Sequence, residues 1–254
     1  MEENNLPLTS VFCLPAVVAV LLVAVALMLF GPPAARAQSG TWTYTAGGNV
    51  NWTDTAKWAG SIVATGVNNT ATFSGLDITA NTTVTVDAGR TISDILTGDT
   101  GGSQTWTFNG GPLTLANTTL QPQIRVLQSS ATFNVVITGV HGLRKEQAGI
   151  LILNATNTYT GDTSINRGTL RFGSAAAVPS GAGYGNVYMN LVGGAPTLDL
   201  STFNPTINGL NSSNGVGTVT SSAASGTSTL TVGANDATST FSGVIANGAS
   251  RMWP

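Results

Sequence analysis

Apolar and polar residues alternate one by one through much of the chain. In Thr82-Thr83-Val84-Thr85-Val86 the two valines fall on one side and Thr83 and Thr85 on the other. Trp106 and Phe108 alternate in the same way with Thr105, Thr107 and Asn109, and Leu170 and Phe172 with Thr169 and Arg171. A period of two belongs to extended backbone, whose successive side chains point to opposite faces. Strand-sized runs of this kind recur at 70–75, 81–89, 91–96, 105–111, 113–115, 124–127 and 132–137, and again at 187–191, 196–200, 205–210, 217–221 and 228–232. Gly, Asn, Asp and Thr punctuate them, as turns require. The segment 173–186, rich in Gly and Pro, suits no regular element and reads as a loop. No Pro/Ser-rich linker or charge run interrupts the series, so the pattern predicts one continuous all-β body.

The start of the chain differs. From Val11 to Phe30 it is apolar throughout apart from Pro15, and Ala35-Arg36-Ala37 gives a small-x-small cleavage pattern before Gln38. Residues 1–37 therefore read as a hydrophobic signal helix. Glu2 and Glu3 stand where an export signal usually carries Lys or Arg, and the apolar run approaches the ~20 residues that span a bilayer. A retained membrane anchor is the alternative, and membrane contact is expected only through this segment if it stays uncleaved.

The most regular stretch is Gly142–Phe172, with strand runs at Leu143–Lys145, Ile150–Leu153, Thr163–Ile165 and Thr169–Phe172. Its pattern runs G-L-x-K-x-x-x-G-x-L-x-L, then N-T-Y-x-G, then G-x-L, carried by Gly142, Leu143, Lys145, Gly149, Leu151, Leu153, Asn157, Thr158, Tyr159, Gly161, Gly168 and Leu170. At these residues it resembles the autotransporter-associated β-strand repeat. That resemblance implies a right-handed parallel β-helix in an exported surface protein. Stacked coils about 4.8 Å apart would bury a continuous apolar stripe that no single short strand could bury alone. Gly149, Gly161 and Gly168 are expected at corners with positive φ. Gln147, Ala155 and Asp162 stand where the family usually has glycine, which would strain a positive-φ corner by ~1 kcal/mol each, and by less for Asp162 because Asp tolerates the left-handed region. The chain accordingly divides into a leader (1–37), a Trp-rich capping region with the first coils (38–130), and a β-helix (131–254). The β-helix holds one clear repeat at 142–173 and a second cut short near the C-terminus, where 239–248 echoes 131–139.

Composition narrows the chemistry. Only 8% of residues are charged, against ~25% in ordinary globular proteins, yet 42% are hydrophobic. Low charge with high apolar content argues against disorder, and 31 glycines suit a turn-rich solenoid. Cys13 is the single cysteine and lies in the leader, so no disulfide is expected in the exported part. The net charge of −2 speaks against nucleic acid as a partner. His141 is the only histidine, which excludes a His-based metal site, and no cofactor is implied. Asp99 and Asp162, each in a Gly-Asp-Thr turn, read as turn formers in preference to calcium ligands. A β-helix polysaccharide hydrolase or lyase is the enzymatic alternative. A glycosidase needs two carboxylates ~5–9.5 Å apart, one with a raised pKa, and Asp77, Asp87, Asp94 and Asp99 are expected mostly on different faces.

The remaining candidates are contact residues. Trp42, Trp52 and Trp58 read first as a cap over the opening coil and second as a sugar-stacking platform. Ile150 and Ile152 occupy positions where the family usually has outward threonine, so they offer an apolar stripe unless a loop such as 173–186 covers them. Arg125, Arg144, Lys145, Arg167 and Arg171 concentrate the basic residues and could align into a ladder for anionic glycans. The expected role is a non-catalytic, exported structural or adhesive surface element. Surface glycans or other envelope proteins are its expected partners, and a carbohydrate-binding module is the alternative.

Overall fold

The computed structural model describes residues 36–190, 194–212 and 215–247, so the expected signal helix lies outside the described residues. Within them two parallel sheets run the length of the body. One holds nine strands and the other ten, with a small third sheet of two. Chain order alternates between the large sheets. Leu143–Glu146 lies in the ten-stranded sheet, Ile150–Leu153 in the nine-stranded sheet, Thr163–Ile165 in the first again and Thr169–Phe172 in the second. Every strand therefore pairs in parallel with its counterpart one coil away, which is the topology of a β-solenoid. The described residues from Ala37 onward form one compact unit.

The four strands of Gly142–Phe172 lie where the alternation puts them, with Leu143–Glu146 one residue longer than expected. Two expected strands are split. Residues 132–137 divide into Ser130–Phe133 and Ile137–Thr138, because the chain turns between the two sheets there. Residues 205–210 divide into Thr206–Ile207 and Leu210–Ser212. The alternation holds across rungs as well as along strands. In the nine-stranded sheet Trp106, Ala131, Leu151, Leu170, Leu198 and Val219 fall in one register column, and all are buried. Beside it, Val50, Val84, Phe108, Phe133, Leu153 and Phe172 make a second buried column. Phe108 and Phe133 stack at 4.5 Å with their planes 18° apart.

The corners obey two rules rather than one. Gly168 adopts φ +67 as expected, and so does Gly142 at +76. Gly149 and Gly161 do not have positive φ. They are small because the neighbouring coil is too close: a side chain on Gly149 would come within 2.6 Å of Val126, and one on Gly161 within 2.6 Å of His141. Of the three non-glycine departures, only Gln147 adopts positive φ, at +68. Ala155 and Asp162 carry no such strain.

At the far end the similarity of 239–248 to 131–139 does not carry over to position. Ala131–Phe133 sits in the nine-stranded sheet, whereas Thr240 and Ser242 bond to the ten-stranded sheet through Asn211 and Ser212. Val244–Ile245 then joins the nine-stranded sheet.

Candidate binding surfaces

The amino-terminal tryptophans are interior. Trp42 and Trp52 are fully buried and Trp58 is 3% exposed. Their rings meet one another and Phe73 at centroid distances between 5.1 and 5.7 Å. Each indole N–H is also committed inside: Trp42 donates to Tyr44 O, Trp52 to Ala64 O and Trp58 to Trp52 O. A ring without a free face cannot stack on a pyranose, so the platform reading of Trp42, Trp52 and Trp58 is corrected. These rings fill the first coils.

Three of the arginines expected to form a ladder are paired with carboxylates. Arg171 donates to Asp199 at 2.7 Å, Arg125 lies 3.5 Å from Asp94, and Arg144 lies 3.5 Å from Glu146. On the ten-stranded sheet a polar chain continues from Asp94 through Gln123 to Arg144 and Glu146, then through Asn166 to Asn190. These contacts cross successive rungs and neutralise the arginines locally. A basic ladder is therefore not built, because each of these guanidiniums faces a carboxylate. Arg167 is half-buried and in no ion pair among the described residues. Ile150 and Ile152 are half-buried on the outside of the nine-stranded sheet. In register, Ile150 lies between Ser130 and Thr169, and Ile152 between Thr132 and Arg171, so polar neighbours break any apolar stripe along the axis.

Lys145 departs most from expectation. It stands in the interior column between Ile124 and Ile165 and is fully buried. Its ammonium donates to the carbonyl oxygens of Glu146 at 2.9 Å, Gln147 at 2.6 Å and Arg167 at 3.1 Å. Three donors thus meet three backbone acceptors at the corners of two successive coils. Desolvation pulls its pKa down to about 7, with the Glu146 charge opposing and the Arg167 charge assisting. The positive-φ corner at Gln147 is held by this lysine in place of a glycine's freedom.

Two carboxylates act as backbone clamps. Asp99 accepts N–H bonds from Ile78, Ser103 and Gln104, at 3.0, 3.0 and 3.1 Å. Burial works to raise its pKa, but the backbone donors outweigh it and hold the carboxyl below its ordinary value. Asp199 accepts from Ser201 and Ser222 N–H as well as from Arg171, with the same net direction against the same desolvation. Asp77 and Asp99 both border Gly101, so one acidic pair is closer than expected. Asp99, held below its ordinary value and committed to three backbone N–H groups, is unsuited to the general-acid role. Asp94 is held by Gln123 and Arg125, and Asp87 by Thr53 and Arg90.

Three features went unread in the sequence. An asparagine ladder joins Asn109, Asn134 and Asn154 through side-chain bonds of 2.6 Å. Its signal was available, since each residue follows the second inward residue of a strand. Buried Asn157 accepts from Ile137 N–H at 2.8 Å and donates to Ala177 O at 2.7 Å. Fully buried Asn208 accepts from Gly181 N–H and donates to the carbonyls of Gly181, Tyr184 and Gly185. Together these two amides pin the loop 173–186 to the coils on either side.

A family model described as passenger-associated-transport-repeat matches residues 143–172, within the stretch singled out above. Residues 143–172 are a passenger-associated-transport repeat. Over 118 residues the chain is 33% identical to the protein "Adhesin BmaC autotransporter" of Brucella suis biovar 1 (strain 1330). That match takes in 46% of this chain but spans only 3% of the relative's length. No solved structure matches the chain. The passenger repeat occupies the middle of the solenoid and contributes strands to both large sheets.

Proposed function

We propose that this chain is an exported, surface-displayed, non-catalytic solenoid that serves as an adhesive segment of a cell envelope. The observation that carries this reading is the uninterrupted parallel ladder through the passenger repeat, which makes one backbone-paired body with closed interior and polar flanks. A body of this kind holds side chains at fixed intervals along an axis, and adhesion can then add many weak contacts into one strong attachment. The partial similarity to an autotransporter adhesin supports the same role. Two carboxylates speak for it too: Asp99 and Asp199 are spent on backbone donors and held below their ordinary values, which stabilises turns and does not suit a general acid. Surface glycans and other envelope proteins are the proposed partners.

The test uses beads coated with the purified full chain and challenged with cultured epithelial cells and matrix-coated surfaces. Retention well above albumin-coated beads is the expected result. Retention equal to albumin on every surface, or release of reducing ends from polysaccharides, overturns the proposal.

A further inference from the structure

The buried tryptophans leave the adhesive reading without a glycan contact, and a separate cleft lies among residues 156–206. It measures about 370 Å³ and is walled by the turn 156–158, the loop 175–184 and residues 204–206, which belong to successive coils. That size lies at the small end of ligand pockets, ~300–1,000 Å³. Val178 and Pro179 give part of its lining an apolar character. Around them stand the hydroxyls of Thr156, Thr158, Ser180, Tyr184 and Thr206, none of which bonds to another protein group among the described residues. Asn204 adds a side-chain amide whose oxygen accepts from Thr229 N–H at 2.7 Å, leaving its NH2 free to donate.

Two properties point to the ligand class. The lining holds no Lys, Arg, Asp or Glu, so nothing in it rewards a charged ligand. It combines one aromatic ring with several unspent hydroxyl and amide groups, which matches a molecule with apolar C–H faces and a rim of hydroxyls. The cleft at the amino-terminal end, about 420 Å³, lacks this character. It is lined by Asp54 and Lys57, and Lys57 lies 4.0 Å over the Tyr44 ring, occupying the face a sugar would need.

The walls are also fixed in advance. Asn157 ties the turn to Ile137 and Ala177, and Asn208 holds both ends of the Gly181–Gly185 bend that carries Tyr184. Preorganised walls reduce the ordering cost of binding. We propose that this cleft binds a neutral saccharide unit, with the Tyr184 ring against an apolar sugar face and the surrounding hydroxyls and the Asn204 amide bonding its rim. The proposal rests on the surface-adhesion reading and names its ligand class.

The experiment is a glycan array probed with the purified full chain, followed by calorimetry with the best neutral oligosaccharide. The array carries glucose-, galactose-, mannose- and N-acetylglucosamine-terminated probes beside sialylated and sulfated ones. Binding to a neutral probe is expected, with affinity reduced at least about tenfold in Tyr184→Ala and several-fold in Thr158→Val, the order expected from losing one or two contacts. Tyr184→Phe keeps the ring and should lose less than Tyr184→Ala. Thr107→Ala, on the nine-stranded sheet, should bind as the parent does. Thermal melts establish that each variant is folded. Binding confined to anionic probes, or neutral binding indifferent to Tyr184→Ala in a folded protein, overturns the cleft assignment. So does the absence of neutral binding. If coated beads still adhere to cells in that case, the adhesive reading stands and only the cleft falls. If the beads fail to adhere but the neutral sugar binds through Tyr184, the cleft stands and the adhesive reading falls.

Discussion

Phe108 offers the sharpest test of the shared interior. It is fully buried, stacks on Phe133 one coil away at 4.5 Å and meets Phe73 at 5.3 Å and Trp52 at 6.2 Å. Truncating such a ring removes its transfer energy and leaves a cavity that close-packed neighbours fill only in part, for a loss of ~3–5 kcal/mol. Because the partners belong to different coils, the loss should be felt between coils. A double-mutant cycle of Phe108→Ala and Phe133→Ala should therefore show a coupling of ~0.5–1.5 kcal/mol, the value of an aromatic pair beyond its buried area. Thr107→Ala, next in sequence but facing outward, should cost less than ~0.5 kcal/mol. Urea denaturation followed by tryptophan fluorescence gives all four numbers, since Trp52 and Trp106 lie in the same interior. A Phe108→Ala cost no larger than that of Thr107→Ala, or zero coupling with Phe133, would refute the continuous core.

Other predictions follow from the clamps and corners. Folding lowers the Lys145 pKa from 10.5 to about 7, so the unfolded chain binds more protons between those values and stability rises with pH across that window. Relative to Lys145→Met, the parent should gain ~2 kcal/mol between pH 7 and pH 9, measured by urea midpoints; an unchanged difference sinks this account. Asp199 has a lowered folded pKa, so its stabilisation is complete above the ordinary carboxylate range and disappears as pH falls through the folded value. Asp199→Asn should thus flatten the acid limb of a stability–pH profile while costing ~1–3 kcal/mol at pH 7. Gly168→Ala must place a side chain at φ +67 and within 2.6 Å of Gly149 O, so a loss of at least ~2 kcal/mol in thermal or urea unfolding is expected. A near-neutral Gly168→Ala would mean that this corner is looser than drawn.

The alternation of side chains made the strands legible, because an inward valine at 84 and an inward phenylalanine at 108 obey the same period whatever lies above them. Relations between coils were less legible. Gly149 looks like a left-handed corner in sequence, yet it is small because Val126 approaches from the adjacent coil, and no local pattern records that approach. Lys145 occupies an inward position of an alternating strand, which was visible. That its ammonium meets three carbonyls from two corners depends on register, and a charge in a strand ordinarily reads as surface. The three tryptophans erred the other way as contact candidates: aromatic clustering signals either a platform or a filled interior, and only burial tells them apart. The neutral cleft was not legible at all, since its walls come from residues some 50 positions apart that the stacking of coils brings side by side.

The parallel stacking sets how such a body would answer a pull. Its inter-strand hydrogen bonds run along the solenoid axis, so tension applied end to end loads one rung at a time instead of shearing all rungs together. Coils would peel away in succession, each releasing slack while those behind it stayed intact. An attachment that lengthens stepwise dissipates a sudden tug before the load reaches whatever the remaining coils are holding.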